Sequence, residues 1–399
     1  MQKKVYKYPA PLRGLDEGTF TEKTVKFRLP KIVQRVLAEN ELNDTAVSLI
    51  QTLIDEIPYG PIRPLRDAYA PDFSLWNERI AAYAGQNWLE APWFFVETYK
   101  FRRIIEAVDY YQTGLDPFAQ QKSETLRLML AQISAEATLL NQMVQDGWSD
   151  AHVNWLLLRD LWGNQVDLGL WAADDAFDHL HQSQDAQVSH LLVNDLTAVL
   201  PQLKKANRLD FIIDNAGYEL VGDFLLAAYL LLVRPSLSIH FHVKRHPTFV
   251  SDVTVEDVSL VRNTFMMHED ASLQQFGLMI QWLLENGRLS LHNHLFWTSP
   301  DPLWEMPIDL FNQLAESDLI ISKGDANYRR ALGDLHWPYE TPLAEIVINP
   351  PAPMLFLRTC KAEVLAGLGN GRSAELRQLD PEWDVNGKWG VIQLVEGKK

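Results

Sequence analysis

The 399-residue chain has a single cysteine, Cys360, so no disulfide can form within it. That usage fits a reducing compartment. Long apolar runs are also missing. The longest, Phe224 to Val233, is about half of the ~20 residues a membrane helix needs. The opening Met1-Gln2-Lys3-Lys4-Val5-Tyr6 is basic but has no apolar stretch after it, so no signal peptide is apparent. Positive charge is scarce. The 36 Lys and Arg against 52 Asp and Glu leave a net charge of −16. This argues against a general nucleic-acid binder, whose footprint is a basic patch, yet leaves room for a local basic pocket that takes a small anion. A Walker loop is absent. Gly367-Leu368-Gly369-Asn370-Gly371 follows a helix-like run and reads as a helix-ending loop rather than a dinucleotide fingerprint. No repeat and no low-complexity tail is found. The plain expectation is a cytoplasmic, membrane-free protein of two or three domains at about 150 residues each.

What is present changes period near residue 190. The first half reads as helical. Asp44-Thr45 can cap a helix with Val47, Ile50, Leu53, Ile54 and Ile57 on its apolar face, stopped by Pro58. A second helix is expected from Trp93 through Ile105, and a long one from Ser123 to Gly147. Beyond 190, strand-like runs alternate with helical ones over Leu220–Leu232, Val255–Phe265, Leu273–Leu284 and Ile308–Leu314. Val391 to Val395 reads as a last strand. The expected class is therefore α/β: a helical N-terminal domain over 1–190, then a Rossmann-like domain with a mainly parallel sheet over 191–399.

Four apolar runs in the second half each end in a polar cluster. Leu209–Ile213 ends in Asp214-Asn215-Ala216-Gly217-Tyr218-Glu219, and Ser238–Val243 leads through Lys244 to Ser251-Asp252. Leu319–Ile321 ends in Ser322-Lys323-Gly324-Asp325-Ala326-Asn327-Tyr328-Arg329, and Met354–Leu357 in Arg358-Thr359-Cys360-Lys361. Ligands of parallel sheets bind outside the carboxyl ends of the strands, where these clusters would sit. Asp214, Asn215 and Asp252 offer hard oxygen donors to one divalent cation. Glu219 and Asp223 share a helix face behind them. Gly324 and the N–H groups that open the next helix make an anion cradle, with charge from Lys323 and Arg329. Arg358 and Lys361 suit a phosphate.

Each element also has a plain structural reading. Asp214-Asn215 and Asp252 can be helix caps, Lys323–Arg329 a surface turn, and Arg358–Lys361 a solvated basic end. Cys360 has no nearby His in sequence and reads as a packed small residue. The pairs His240/His242 and His292/His294 lack acidic or Cys partners at zinc-site spacings and read as structural.

Taken in order, Asp214–Leu220, Ser251–Thr254, Lys323–Arg329 and Arg358–Lys361 resemble the metal-dependent damage-control phosphatases. The last segment is similar to the Arg-Thr-x-Lys signature of subfamily III, the group that includes acidic-residue methyltransferase 1. Trp93–Arg103 and Leu161–Leu168 resemble that family's helical-domain motifs. Gln165 and Ala326 depart from the pattern, standing where Arg and a larger apolar residue are expected. The resemblance implies manganese, cobalt, nickel or magnesium held by Asp214, Asn215 and Asp252. It further implies substrate contacts from Asp214, Asn215, Asp325, Ala326, Asn327, Tyr328, Arg329 and Lys361, and small phosphorylated sugars such as fructose phosphates as substrates.

The expected activity is metal-assisted hydrolysis of a phosphomonoester. Asp214, Asn215, Asp252 and Lys361 are the catalytic set, with Glu219, Lys323 and Arg358 as helpers at the substrate. Carboxyl methylation from S-adenosylmethionine is the alternative, although the glycine-rich turn a nucleoside cofactor needs is missing. A sugar-phosphate-binding protein without catalysis is the third reading.

Overall fold

A computed structural model of the chain describes residues 8–163 and 184–397. The apolar runs of the second half form one seven-stranded sheet in the order β1-β7-β6-β5-β2-β3-β4. Its strands are β1 (Leu191–Asn194), β2 (Arg208–Ile212), β3 (Ser238–His242), β4 (Leu289–His292), β5 (Leu319–Lys323), β6 (Met354–Thr359) and β7 (Gly390–Val395). Strands β2 to β6 are mutually parallel. Strand β7 runs antiparallel to β6, and β1 follows β7. The chain leaves β2 toward β3 on one side, while β5 pairs on its other side. The crevice above β2 and β5 is thus a topological switch point, where α/β sheets bind ligands.

Alternate strand residues feed two cores. Leu209, Phe211, Leu319, Ile321, Leu355 and Leu357 pack on one face with the helix Tyr218–Val233. Ile212, Ile320, Met354 and Phe356 pack on the other face with Trp93, Phe95, Tyr99 and Phe101. Residues before and after 190 contribute to both cores.

Five helices matter for the site: α1 (Leu29–Glu39), α2 (Trp93–Ala107), α3 (Tyr218–Val233), α4 (Val255–Met266) and α5 (Gly324–Leu332). The fully buried α2 carries charge into the core. Arg102 reaches Asp67 at 2.7 Å and Asp72 at 2.8 Å, so its guanidinium is compensated where it is buried. No helix among the described residues is long and apolar enough to cross a membrane.

Several expectations shift. The helix after Asn43 spans Asp44–Glu56, and its cap is Asn43, whose side chain accepts from the Ala46 N–H at 2.9 Å, rather than Asp44 or Thr45. The long helix breaks at Met129, whose N–H turns back to Leu126, giving Ala119–Leu128 and Leu130–Asp146. Strands β1 and β4 were not anticipated. Gly367–Gly371 precedes the helix Arg372–Leu379 instead of ending one. Asn164 to Leu168, including Gln165, lie outside the described residues.

Lys100 on α2 is fully buried and its ammonium has no hydrogen-bond partner among the described residues. Burial pushes it down to about 7. The unfolded chain keeps that proton between pH 7 and the ordinary lysine range, whereas the folded chain releases it. Stability from this site therefore rises with pH across that window. The Lys100→Met variant is expected to be more stable than wild type at pH 7 by more than about 1 kcal/mol, with the gap narrowing toward pH 9, in urea unfolding at both pH values.

Candidate active site

The loops after β2 and β3 are stitched together over the switch point. Asn215 and Asp252 form an antiparallel bridge. The Ala216 N–H donates to the Ser251 carbonyl at 2.6 Å, and the Val253 N–H to the Asp214 carbonyl at 2.9 Å. These bonds fix three side chains at one place. Neither plain reading of the acids holds locally. Helix α4 is capped by Thr254 in a capping box with Asp257, not by Asp252. The N-cap of helix α3 is Gly217, at φ 70°, with no side-chain cap from Asp214 or Asn215.

The Asn215 amide donates to Asp214 Oδ2 at 3.0 Å and to Glu219 Oε2 at 2.8 Å, while its Oδ1 accepts from the Ser251 hydroxyl at 2.6 Å. Glu219 thus orients Asn215. Asp214 approaches α5 so closely that a Cβ on Gly324 would lie 1.8 Å from Asp214 Oδ2. Gly324 also sits at φ +80°, which favours glycine. Burial, then the neighbouring Asp252 and Glu219 carboxylates, push Asp214 well above the usual carboxylate range. Burial pushes Asp252 up to about 6, against the pull of Lys244.

Lys244, the residue after Val243, received no role from the sequence. It is buried, with its ammonium 3.2 Å from Asp252 Oδ2 and 3.1 Å from Asn327 Oδ1. Its position between a metal-type carboxylate and the α5 loop was hidden because one Lys in a loop reads as solvated.

The other predicted residues divide into two groups. Asp214, Asn215, Asp252, Asp325, Ala326, Arg329 and Lys361 line one cavity of about 310 Å³. The rest stand behind it. Lys323 is buried, 2.7 Å from Asp160, 3.1 Å from Asp223 and 3.5 Å from Glu219. Burial would lower its ammonium, but these carboxylates outweigh that and raise it. Its charge is spent beneath the site and does not line the pocket. Arg358 is not a solvated basic end. It is buried, bonded to Asp325 at 2.8 Å and to the carbonyls of Ala362 and Val364, so it shapes the loop that presents Lys361. Tyr328 is buried with its hydroxyl donating to Gln393 at 2.8 Å, and Asn327 ties Lys244 to the Lys323 carbonyl. Arg329 lies 3.6 Å over the Trp93 ring and pairs with Glu97 at 2.6 Å and Asp334 at 2.8 Å.

The helical half contributes Trp93 and Glu97 to the pocket wall, and the loop after β3 contributes Phe249. Phe249 and Val250 take left-handed φ values of 49° and 72°, which cost non-glycine residues energy. The Phe249 ring packs at 5.3 Å from Phe101 and 6.0 Å from Phe94, which offsets that cost.

The histidine pairs are used for packing and hydrogen bonds. His240 contacts His292 at 3.0 Å, His242 contacts Asp210 at 2.8 Å, and His294 accepts from the Phe296 N–H. No group of three His, Cys, Asp or Glu among the described residues is arranged to hold a metal ion. Two carboxylates and an amide oxygen remain. That donor set, with Asp252 Oδ2 buried and lacking a well-formed hydrogen bond, fits a hard divalent cation that keeps some of its waters.

Fold and pocket define an α/β protein with an acidic, oxygen-rich site at its switch point and a lysine facing it. A family model, the damage-control phosphatase ARMT1-like domain, matches residues 24–376. The chain is similar to damage-control phosphatase ARMT1 of Mus musculus, at 32% identity over 97% of this chain and 98% of that protein. The Danio rerio protein of that name is 32% identical over 97% of both chains, and the Homo sapiens one 30% identical over 96% and 98%. A solved DUF89-family protein from Pyrococcus horikoshii shares the fold, with a TM-score of 0.51 and 14% identity over 95% of this chain and 98% of that one. The chain belongs to the ARMT1-like damage-control phosphatase family.

The Gly324→Ala variant is expected to displace the Asp214 carboxylate while leaving the fold intact. If Asp214 is a metal ligand, calorimetric titration with Mn²⁺ should show at least about ten-fold weaker binding than wild type, in the range of lost metal-site support. Unchanged affinity would separate Gly324 from the function of Asp214.

Proposed function

We propose that this chain is a metal-dependent phosphatase that hydrolyses small phosphomonoesters, with sugar phosphates such as fructose phosphates as substrates. The observation that carries the reading is the meeting of Asp214, Asn215, Asp252 and Lys361 in one cavity of about 310 Å³ at the switch point. A cavity of that size is at the small end of ligand sites, roughly 300–1,000 Å³, and suits a small metabolite. A divalent cation such as manganese, cobalt, nickel or magnesium, held by Asp214, Asn215 and Asp252, would supply Lewis-acid polarisation of a phosphoryl oxygen.

The chain's own residues do the rest. Lys361 places an ammonium where the phosphoryl charge grows. The opening of α5 presents Asp325 and Ala326 to the pocket, and the positive end of its helix dipole favours an anion there. Arg358 holds the Lys361 loop in place. Glu219 and Ser251 lock the Asn215 amide, so its oxygen needs no reorganisation. The indole of Trp93 and the ring of Phe249 limit water at the mouth.

A phosphate-release screen over sugar phosphates and divalent metals, with a chelated control, tests this. Release from fructose phosphates is expected only with metal. Asp214→Ala and Asp252→Ala should each lower kcat/KM by about a thousand-fold or more, and Lys361→Met by about a hundred-fold or more. Full activity of a purified, metal-replete Asp252→Ala protein would remove the assignment.

A further inference from the structure

A second cavity of about 530 Å³ adjoins the first. Both are lined by Arg28, Glu97, Phe249 and Ser251, so they share one wall. The inner cavity, where Asp214, Asp252 and Lys361 meet, is of a size for one ester phosphate and a small sugar. The outer one has no part in that account.

Its charges are informative once pairs are removed. Arg35 is paired with Glu39 at 2.7 Å, and Lys122 with Asp257 at 2.7 Å. The carboxylates are also occupied. Glu39 accepts from Gln121 as well, Glu97 takes Arg329, and Glu124 takes Arg127. Two cations are left on this wall, Arg28 and Lys31, neither with a carboxylate or hydrogen-bond partner for its side chain among the described residues. Both are exposed to the cavity solvent. In a chain of net charge −16, two such cations side by side on one wall mark a local positive site.

The backbone aims one of them. Thr24–Arg28 forms a π-helical turn running directly into α1, and Arg28 closes it. Turns of this kind are rare and concentrate at functional sites, because the extra residue redirects a side chain. Behind the wall, the buried Lys100 ammonium has no hydrogen-bond partner, and the nearby charges it feels are Glu97 and Arg28. An anion seated at Arg28 would relieve that like-charge opposition.

We propose that the outer cavity is a second anion subsite, in which Arg28 and Lys31 hold a second phosphate of a substrate whose ester phosphate lies against Lys361. The preferred substrate class is then sugar bisphosphates over monophosphates. This inference rests on the phosphatase reading for its inner phosphate, while Arg28 and Lys31 define the outer one independently.

Calorimetric titration of the full chain with fructose 1,6-bisphosphate and with fructose 6-phosphate, at one fixed Mn²⁺ concentration, tests it alongside phosphate release. Wild type is expected to bind the bisphosphate at least about ten-fold more tightly, and the Arg28→Ala/Lys31→Ala protein to bind the two within about two-fold, as expected for losing a charge-assisted phosphate contact. The ratio between proteins cancels any metal binding by the ligands. Both side chains are exposed, and an unchanged Tm confirms that the variant folds. Equal affinities in wild type, or a variant that keeps the preference, would overturn the subsite. A bisphosphate preference with no phosphate release keeps the subsite and removes the hydrolase reading. Release without the preference does the reverse.

Discussion

Mutual repulsion between two buried carboxylates, Asp214 and Asp252, is the constraint on which the rest of the structure depends. Burying a charge is expensive unless it is paired, and burying two like charges together is more so. The chain holds them there by means that cost little conformational freedom: a backbone bridge between Asn215 and Asp252, and main-chain bonds from Ala216 and Val253. Gly324 supplies the missing side chain that lets Asp214 approach α5. Lys244 offsets part of the charge from one side. Each of these is a local feature of a loop, yet all converge on one point because β2, β3 and β5 are neighbours in the sheet.

The helical half is tied to the same point by buried ion pairs and packed rings. Arg329 leaves α5 to pair with Glu97 on α2, with its guanidinium over Trp93. Phe249 leans onto Phe94 and Phe101 from the loop that ends in Asp252. A shift of α2 would therefore move both walls of the pocket together. Breaking one member of such a buried pair leaves an uncompensated charge, so this junction is stiff in a way that a purely apolar contact would not be.

Much of this was legible in the sequence. The four strand endings announced themselves as apolar runs stopped by polar clusters, and family motifs ordered them. What was missed has physical reasons. Strand β4, Leu289-Ser290-Leu291-His292, is too short for its alternation to stand out, and β1 is a four-residue edge strand. The direction of β7 leaves no mark on its composition. Lys323 was misjudged although its signal was present: it shares strand parity with Leu319 and Ile321, which face the core under α3. Asp160 and Asp223 wait there. Arg28 and Lys31 could not be read, because exposed basic residues on an amphipathic helix look solvated until the opposite wall is known.

Charge balance links these observations. Besides Asp325 and Glu97, which are paired with Arg358 and Arg329, five carboxylates stand around the switch point, from Asp160, Asp214, Glu219, Asp223 and Asp252, with three ammoniums, from Lys244, Lys323 and Lys361. With all ionised, two negative charges remain uncompensated in a place water barely reaches. Lys323 offsets one of the three charges beneath the site, on Asp160, Glu219 and Asp223, while Lys244 and Lys361 act on the upper pair, Asp214 and Asp252. Burial already pushes both Asp214 and Asp252 toward holding protons, and the Asp252 and Glu219 carboxylates push Asp214 further. Under the proposed function, a divalent cation at Asp214 and Asp252 would offset their charge, and Lys361 and the positive end of α5 would then face a less negative pocket. The same carboxylates that repel an anion in the absence of a cation would then be part of an anion-binding wall. On the proposed reading, phosphate affinity at the inner cavity would depend on the cation, whereas the proposed subsite at Arg28 and Lys31 would not.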